Sequence, residues 1–185
     1  MFQISLLDNS AIQSAKKKGF NFAHISMVRI GINPLHRAGL ETFAFSALFD
    51  QRFGRFSRAL IEGIEAPLSN GPIQYDVAPN FSISITGENI MKSLVLGIQT
   101  QGYDDFLSNS ENLAIFSCVC VRFYNTTIPV VLHAPTKESQ VVTLMQYDSS
   151  CNPMAPQQID QRTLCPPSEW MTSWAQRKPQ PVSIS

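Results

Sequence analysis

Charge is scarce in this sequence. Asp, Glu, Lys and Arg make up 15% of its 185 residues, and 14 basic residues balance 14 acidic ones, where about a quarter of a soluble protein is usually charged. A net charge of zero gives no global drive toward nucleic acid or an anionic membrane. The distribution is uneven, though. Residues 1–70 carry eight Lys/Arg against five Asp/Glu, a local +3, and residues 71–185 carry six against nine, a local −3.

Long apolar runs are missing as well. No stretch approaches the roughly 18 residues of a membrane-crossing helix. Met1–Leu7 is too short for a secretion signal and is followed by Asp8. Cysteine is limited to Cys118, Cys120, Cys151 and Cys165, with no C-x-x-C pair. Cys118 and Cys120 stand two apart in an apolar run, and in a strand that spacing puts both thiols on one face. A zinc site drawn from His133, Cys151 and Cys165 would need spacings unlike the short-loop patterns of known zinc ligands. No metal and no cofactor is expected, and the reading is a reduced, intracellular, soluble protein.

The sequence also lacks the short motifs of catalysis. It has no G-x-S-x-G elbow, no phosphate loop ending in G-K-[ST], no H-E-x-x-H and no G-x-G-x-x-G. His24, His36 and His133 are far apart, and the Asp104-Asp105 pair falls in a turn-like GYDDF. The expectation is a protein that is not an enzyme and has no small-molecule substrate.

Present in their place are many short segments of period-two alternation. NSAIQSAKKK (Asn9–Lys18) reads as a short helix capped by Asn9 or Ser10 and ended by Gly19. Strand candidates follow at 24–33, 42–50, 58–66, 81–86, 93–100, 113–124, 128–133 and 140–147. In FSISIT, Phe81, Ile83 and Ile85 face one way while Ser82, Ser84 and Thr86 face the other. GENIMK (87–92) fits a single helical turn, and LAIFSCVCVRFY (113–124), apolar on both faces, fits a central strand between two layers. The fold class expected is all-β: one antiparallel sandwich with one or two short helices. The chain divides into a helical lead-in at 1–19, a sandwich at 20–147 and a flexible tail at 148–185 with six prolines. Trp170 and Trp174 lie four apart in that tail, with Ser168 as a possible cap, and either pack back on the sandwich or dock a partner.

One segment mixes basic and aromatic residues. LFDQRFGRFSRAL sets Arg52, Arg55 and Arg58 among Phe49, Phe53 and Phe56. Arginines neutralise phosphates, and aromatic rings stack on bases regardless of sequence. Lys16, Lys17, Lys18 and Arg37 would extend such a surface; the alternative is that the phenylalanines anchor a loop and the arginines solvate it. Asp50, closing the apolar strand TFAFSALF, would be shielded from water if the next residues fold back, and would then need Arg52, Arg55 or backbone N–H groups as partners.

The order of segments resembles a known family. KGFNFAHISMVRIGINPLHR, ALFDQRF, EAPLSNGPIQYDVAPNF, LVLGIQTQGYDDF and ENLAIFSCVCVRFYNTT run collinearly with the movement domain of plant pararetroviruses, within the thirty-kilodalton movement-protein superfamily. The likeness covers about 110 residues, Lys18 to Thr127. The family's signature aspartate matches Asp50 with Arg52 behind it, its glycine before the next strand matches Gly71, and its Pro-hydrophobe strand start matches Pro79 and Phe81. The resemblance implies a jelly-roll-like sandwich that transports a viral genome or virion through plasmodesmata. Its implied partners are further copies of itself as a homo-oligomer, often in tubules at the plasma membrane, viral nucleic acid or virion coat protein, and host plasmodesmal and plasma-membrane proteins. It is also compatible with a piece of a polyprotein, with a capsid-like structural module, or with a transport-inactive copy resident in a plant genome.

Overall fold

Along FAFSALF, side chains alternate between two apolar environments. Ala44 and Leu48 join one buried cluster, while Phe45, Ala47 and Phe49 join another on the opposite face. A strand apolar on both sides suits a position between two layers, and it forms β3 (Phe43–Phe49) in the middle of a sheet. The computed structural model describes residues 2–36, 39–103, 111–126, 143–146 and 157–158. In chain order the remaining elements are β1 (Phe2–Ser5), α1 (Asn9–Lys17), β2 (Phe22–Pro34), α2 (Phe56–Ala59), β4 (Leu60–Pro67), β5 (Ile73–Val77), β6 (Phe81–Ser84), a 3-10 turn (Ile90–Lys92), β7 (Val95–Gln101), β8 (Leu113–Tyr124), β9 (Thr143–Gln146) and β10 (Gln157–Gln158).

Two antiparallel sheets result. One has the order β1-β7-β3-β4, and the other runs β10-β9-β5-β2-β6 with β8 also paired to β2. The long β2 organises the second sheet: β6 pairs with Phe22–Ile25, β5 pairs with Val28–Ile32, and β8 follows nearly the whole opposite side. Between the sheets Ile25, Val28, Ile30 and Ile32 of β2 belong to one core with Leu48, Ile64, Leu96 and Ile98 of the facing sheet, each fully buried. Burying an aliphatic side chain of this size is worth about 1.5–3 kcal/mol. A buried polar link crosses the layers, with Ser46 Oγ and Tyr75 Oη 2.7 Å apart.

The expected all-β sandwich is therefore present, with α1 and the 3-10 turn where the pattern put helical structure. Several local readings change. The cap of α1 is Asp8, whose carboxylate accepts the Ser10 N–H at 2.8 Å, rather than Asn9 or Ser10. β1 and β5 were not anticipated as strands, and Gln157–Gln158, inside the expected tail, pairs with Leu144 and Thr143. β8 is the largest correction. Among the described residues it lies at a sheet border, with most of its outward residues exposed, rather than between two layers. The strand candidate 128–133 lies outside the described residues, as do Asp104, Asp105 and the zinc candidates His133, Cys151 and Cys165.

Candidate functional site

β3 ends at Phe49, and the chain must then turn back into β4. Asp50 is held by its own N–H, which donates to the Ala59 carbonyl at 2.8 Å, and the Gln51 N–H donates to the Lys92 carbonyl at 2.7 Å. These two bonds fix the turn against β4 and against the 3-10 turn. Gln51 also donates its amide to Gln3 of β1 at 2.5 Å. Within this frame Arg52 folds back over Asp50. Its backbone N–H reaches Oδ1 at 3.0 Å, its Nε reaches Oδ1 at 2.9 Å, and its Nη2 reaches Oδ2 at 2.5 Å. The carboxylate is thus gripped by one backbone and two guanidinium donors, a bidentate arrangement stronger than neutral hydrogen bonds. The carboxylate is almost fully buried, whereas the Arg52 side chain keeps about a third of its surface in water, 35% against 6% for Asp50.

This geometry divides the basic and aromatic residues by role. Phe49 and Phe56 are buried and anchor the turn in the second apolar cluster. Phe53 is 47% exposed at the tip. Arg55 and Arg58 are also exposed, on and beside α2. Arg52 is bound to Asp50 while keeping part of its surface in water, and Arg55, Arg58 and Phe53 also face solvent at the turn. What the turn can do chemically is attract phosphate and offer one ring for stacking, with no nucleophile or acid–base pair assembled.

The other residues singled out from sequence sit elsewhere. Gly71 bridges β4 and β5 at φ +112°, a conformation that suits glycine, and donates its N–H to the Leu68 carbonyl at 3.1 Å. Pro79 lies in the middle of the link from β5 to β6, just before Asn80 at φ +49°; Asn tolerates that left-handed geometry well. Both shape connections between strands. Lys16 and Lys17 end α1 with Lys18 as its C-cap. That helix lines a cavity with Val119, Val121 and Phe123 of β8, so the lysines belong to the β8 end of the second sheet and the arginines to the end of β3 in the first. Arg37, Trp170 and Trp174 lie outside the described residues. Cys118 and Cys120 share a face, as their spacing requires, and both thiols are free and exposed.

Sequence reading missed the polar outer face of the second sheet. Arg29 grips Asp76 through two bonds of 2.7 Å. Nearby, His24 Nδ1 lies 3.1 Å from Ser82 Oγ, and its ring meets Tyr124 edge-on. The signal was available in the alternation of HISMVRIGIN, which turns Arg29 away from the buried Val28 and Ile30. At the far end of β2, His36 Nε2 lies 2.9 Å from Tyr103 Oη and 3.1 Å from Thr42 Oγ1. Among the described residues no group of three His, Cys, Asp or Glu is placed to hold a metal, and no helix is long and apolar enough to cross a membrane.

Residues 1–138, which include every element from β1 to β8, match the family described as viral movement protein (MP). The chain is 27% identical over 123 residues to polyprotein P3 of Commelina yellow mottle virus, covering 66% of this chain and 6% of that polyprotein. It is 29% identical over 87 residues to the genome polyprotein of Petunia vein clearing virus (isolate Shepherd), covering 47% and 4%. A protein carrying the movement-protein name in Apple chlorotic leaf spot virus (isolate apple) is 20% identical over 130 residues, or 69% of this chain and 28% of that protein. The chain thus spans only a small part of the polyproteins it resembles. No solved structure matches it.

Proposed function

Since the chain belongs to the viral movement protein family, we propose that it carries a plant-virus genome or virion from cell to cell through plasmodesmata. The observation that carries this reading is the family match over residues 1–138, three-quarters of the chain and the whole sandwich up to β8. The two polyprotein relatives support a viral origin, in pararetroviruses of the badnavirus and caulimovirus type. In this reading the protein acts as a homo-oligomer, assembling tubules at the cytoplasmic side of the plasma membrane, and meets host proteins of the plasma membrane and plasmodesmata.

Contact with single-stranded nucleic acid is weak and independent of sequence, made by Arg55, Arg58 and Phe53 on the turn that Asp50 and Arg52 hold in shape. The lysines 16–18 add a separate basic group, and Arg37 a further one. A net charge of zero supports a division of labour in which coat protein takes much of the cargo contact, with Trp170 and Trp174 as its docking point. A fluorescent fusion expressed in leaf epidermis tests this reading. Puncta at cell walls with protruding tubules are expected; diffuse cytoplasmic signal or closed capsid-like particles would overturn it.

A further inference from the structure

Among the described residues β8 is an edge strand, and its own sequence carries little of the usual protection of an edge. Among the described residues it pairs with β2 on one side and with no strand on the other. Exposed edges in soluble proteins are normally blunted by Lys, Pro, a bulge or a short length, because unpaired N–H and C=O groups invite another strand. β8 runs for 12 residues, LAIFSCVCVRFY, with Arg122 as its sole charge and no proline or glycine. Its outward face carries Phe116, 50% exposed, and the exposed Cys118 and Cys120. Its inward face is only half covered at Ile115, Val119 and Val121. Below that face, Leu6, Leu7, Ala11 and Ile12 enclose a cavity of about 380 Å³ with Val119 and Val121. Both faces of the strand therefore have apolar surface left to bury.

We infer that β8 is a self-assembly edge, and that its occupant is β8 of a second copy of this chain, paired antiparallel about a two-fold axis through Val119. Self-complementarity selects this partner. Only registers centred on Cys118 or Val119 pair nearly the full length of the strand. Centring on Val119 sets Arg122 of the second copy opposite the half-exposed ring of Phe116, a cation facing an aromatic, and keeps the two arginines far apart. On the same face it places Cys118 directly opposite Cys120 of the second copy. On the inner face Ile115 meets Phe123 of the second copy, and Val119 meets its own equivalent. The two six-stranded sheets then become one continuous sheet, with β2 and β8 of each copy at its centre. This rests on the self-assembly stated under the proposed function and names the surface responsible.

Opposed residues of an antiparallel pair have Cα atoms about 4.5–5.5 Å apart, which is within reach of a disulfide. The test uses the full chain carrying Cys151→Ser and Cys165→Ser, oxidised with diamide. Two thiols lose two protons and two electrons to the diamide N=N bond, giving one interchain disulfide and a hydrazine. A covalent dimer is expected, and Cys118→Ser or Cys120→Ser alone should abolish it as fully as both together. Random collisions would leave each single variant cross-linking, which would overturn the register.

A second pair of variants needs no oxidant and changes only exposed positions. Cys118→Lys with Cys120→Lys opposes lysine to lysine, while Cys118→Lys with Cys120→Glu opposes lysine to glutamate. By sedimentation the first should raise the dimer dissociation constant at least tenfold over the second, with equal melting temperatures. Equal association of the two variants overturns the proposal. If oligomers persist in both and diamide gives no covalent dimer through Cys118 and Cys120, assembly uses another surface and the inference fails. An unmodified chain that stays monomeric at all concentrations, with β8 amides slow to exchange, would mean that the chain covers this edge itself, and the inference fails.

Discussion

Asp50 and Arg52 are unequally buried, so removing either one has a different cost. Arg52→Ala strands a buried carboxylate with one backbone donor left, which should cost about 3 kcal/mol. Asp50→Ala leaves a guanidinium already a third in water, free to turn outward, at about 1–2 kcal/mol. Urea midpoints of the two variants should therefore rank Arg52→Ala below Asp50→Ala, and the reverse order would refute the bond geometry assigned here. Tyr75 makes a second prediction. Burial pushes its hydroxyl pKa well above the ordinary value near 10, with the Ser46 hydrogen bond opposing and Glu62 adding to the rise. The folded state then holds that proton more tightly than the unfolded chain does. Its contribution to stability is intact below about pH 10 and is lost as the pH rises beyond it. Comparing urea midpoints between pH 8 and 11, the decline should be shallower in Tyr75→Phe than in the unmodified chain. The Asp50 partnership was legible in the sequence because an acid closing an apolar strand needs a nearby donor. The Ser46–Tyr75 link was not, since it joins residues 29 apart whose meeting depends on how the sheets stack.

Strands with one buried face were legible because alternation states which way each side chain points. β6 follows that pattern closely and β2 follows it on either side of its bulge, whereas β3 and β7 are buried on both faces and were legible as short apolar runs between turn signals. β1 has only four residues, and β5 lies between the turn signals Gly71-Pro72 and Pro79, which masked the alternation of Ile73, Tyr75 and Val77. The span of β8 was read as observed but its place was not, because a strand apolar on both faces reads alike whether both faces are covered or one stays exposed. The contrast between β3 and β8 can be measured. Leu48→Ala removes a fully buried side chain and should destabilise by about 2–5 kcal/mol. Phe116→Ala, half exposed, should cost the monomer under about 1 kcal/mol while weakening self-association by sedimentation. Comparable melting losses for both would return β8 to the core.

For the molecule as a whole, net charge concealed a local basic cluster. Neutrality gave no global drive toward nucleic acid, yet the turn after β3 leaves Arg55 and Arg58 facing water, with the Arg52 guanidinium holding Asp50. Sequence spacing treats the three arginines alike; folding separates them. Each phosphate contact on a single strand contributes about −0.7 to the slope of log affinity against log salt. Neutralising Arg55 and Arg58 to Gln should therefore flatten that slope by about 1.4 if both touch backbone, with the melting temperature unchanged; an unaltered slope would move cargo contact to the lysines or to coat protein. Transport itself is the central claim. Its most direct measurement supplies the chain in leaf cells to a fluorescently tagged plant virus whose own movement function is deleted. Infection should spread from single cells into multicellular foci with the unmodified chain and remain confined to single cells with Asp50→Ala. Confinement to single cells despite a folded, expressed, unmodified chain would contradict the account.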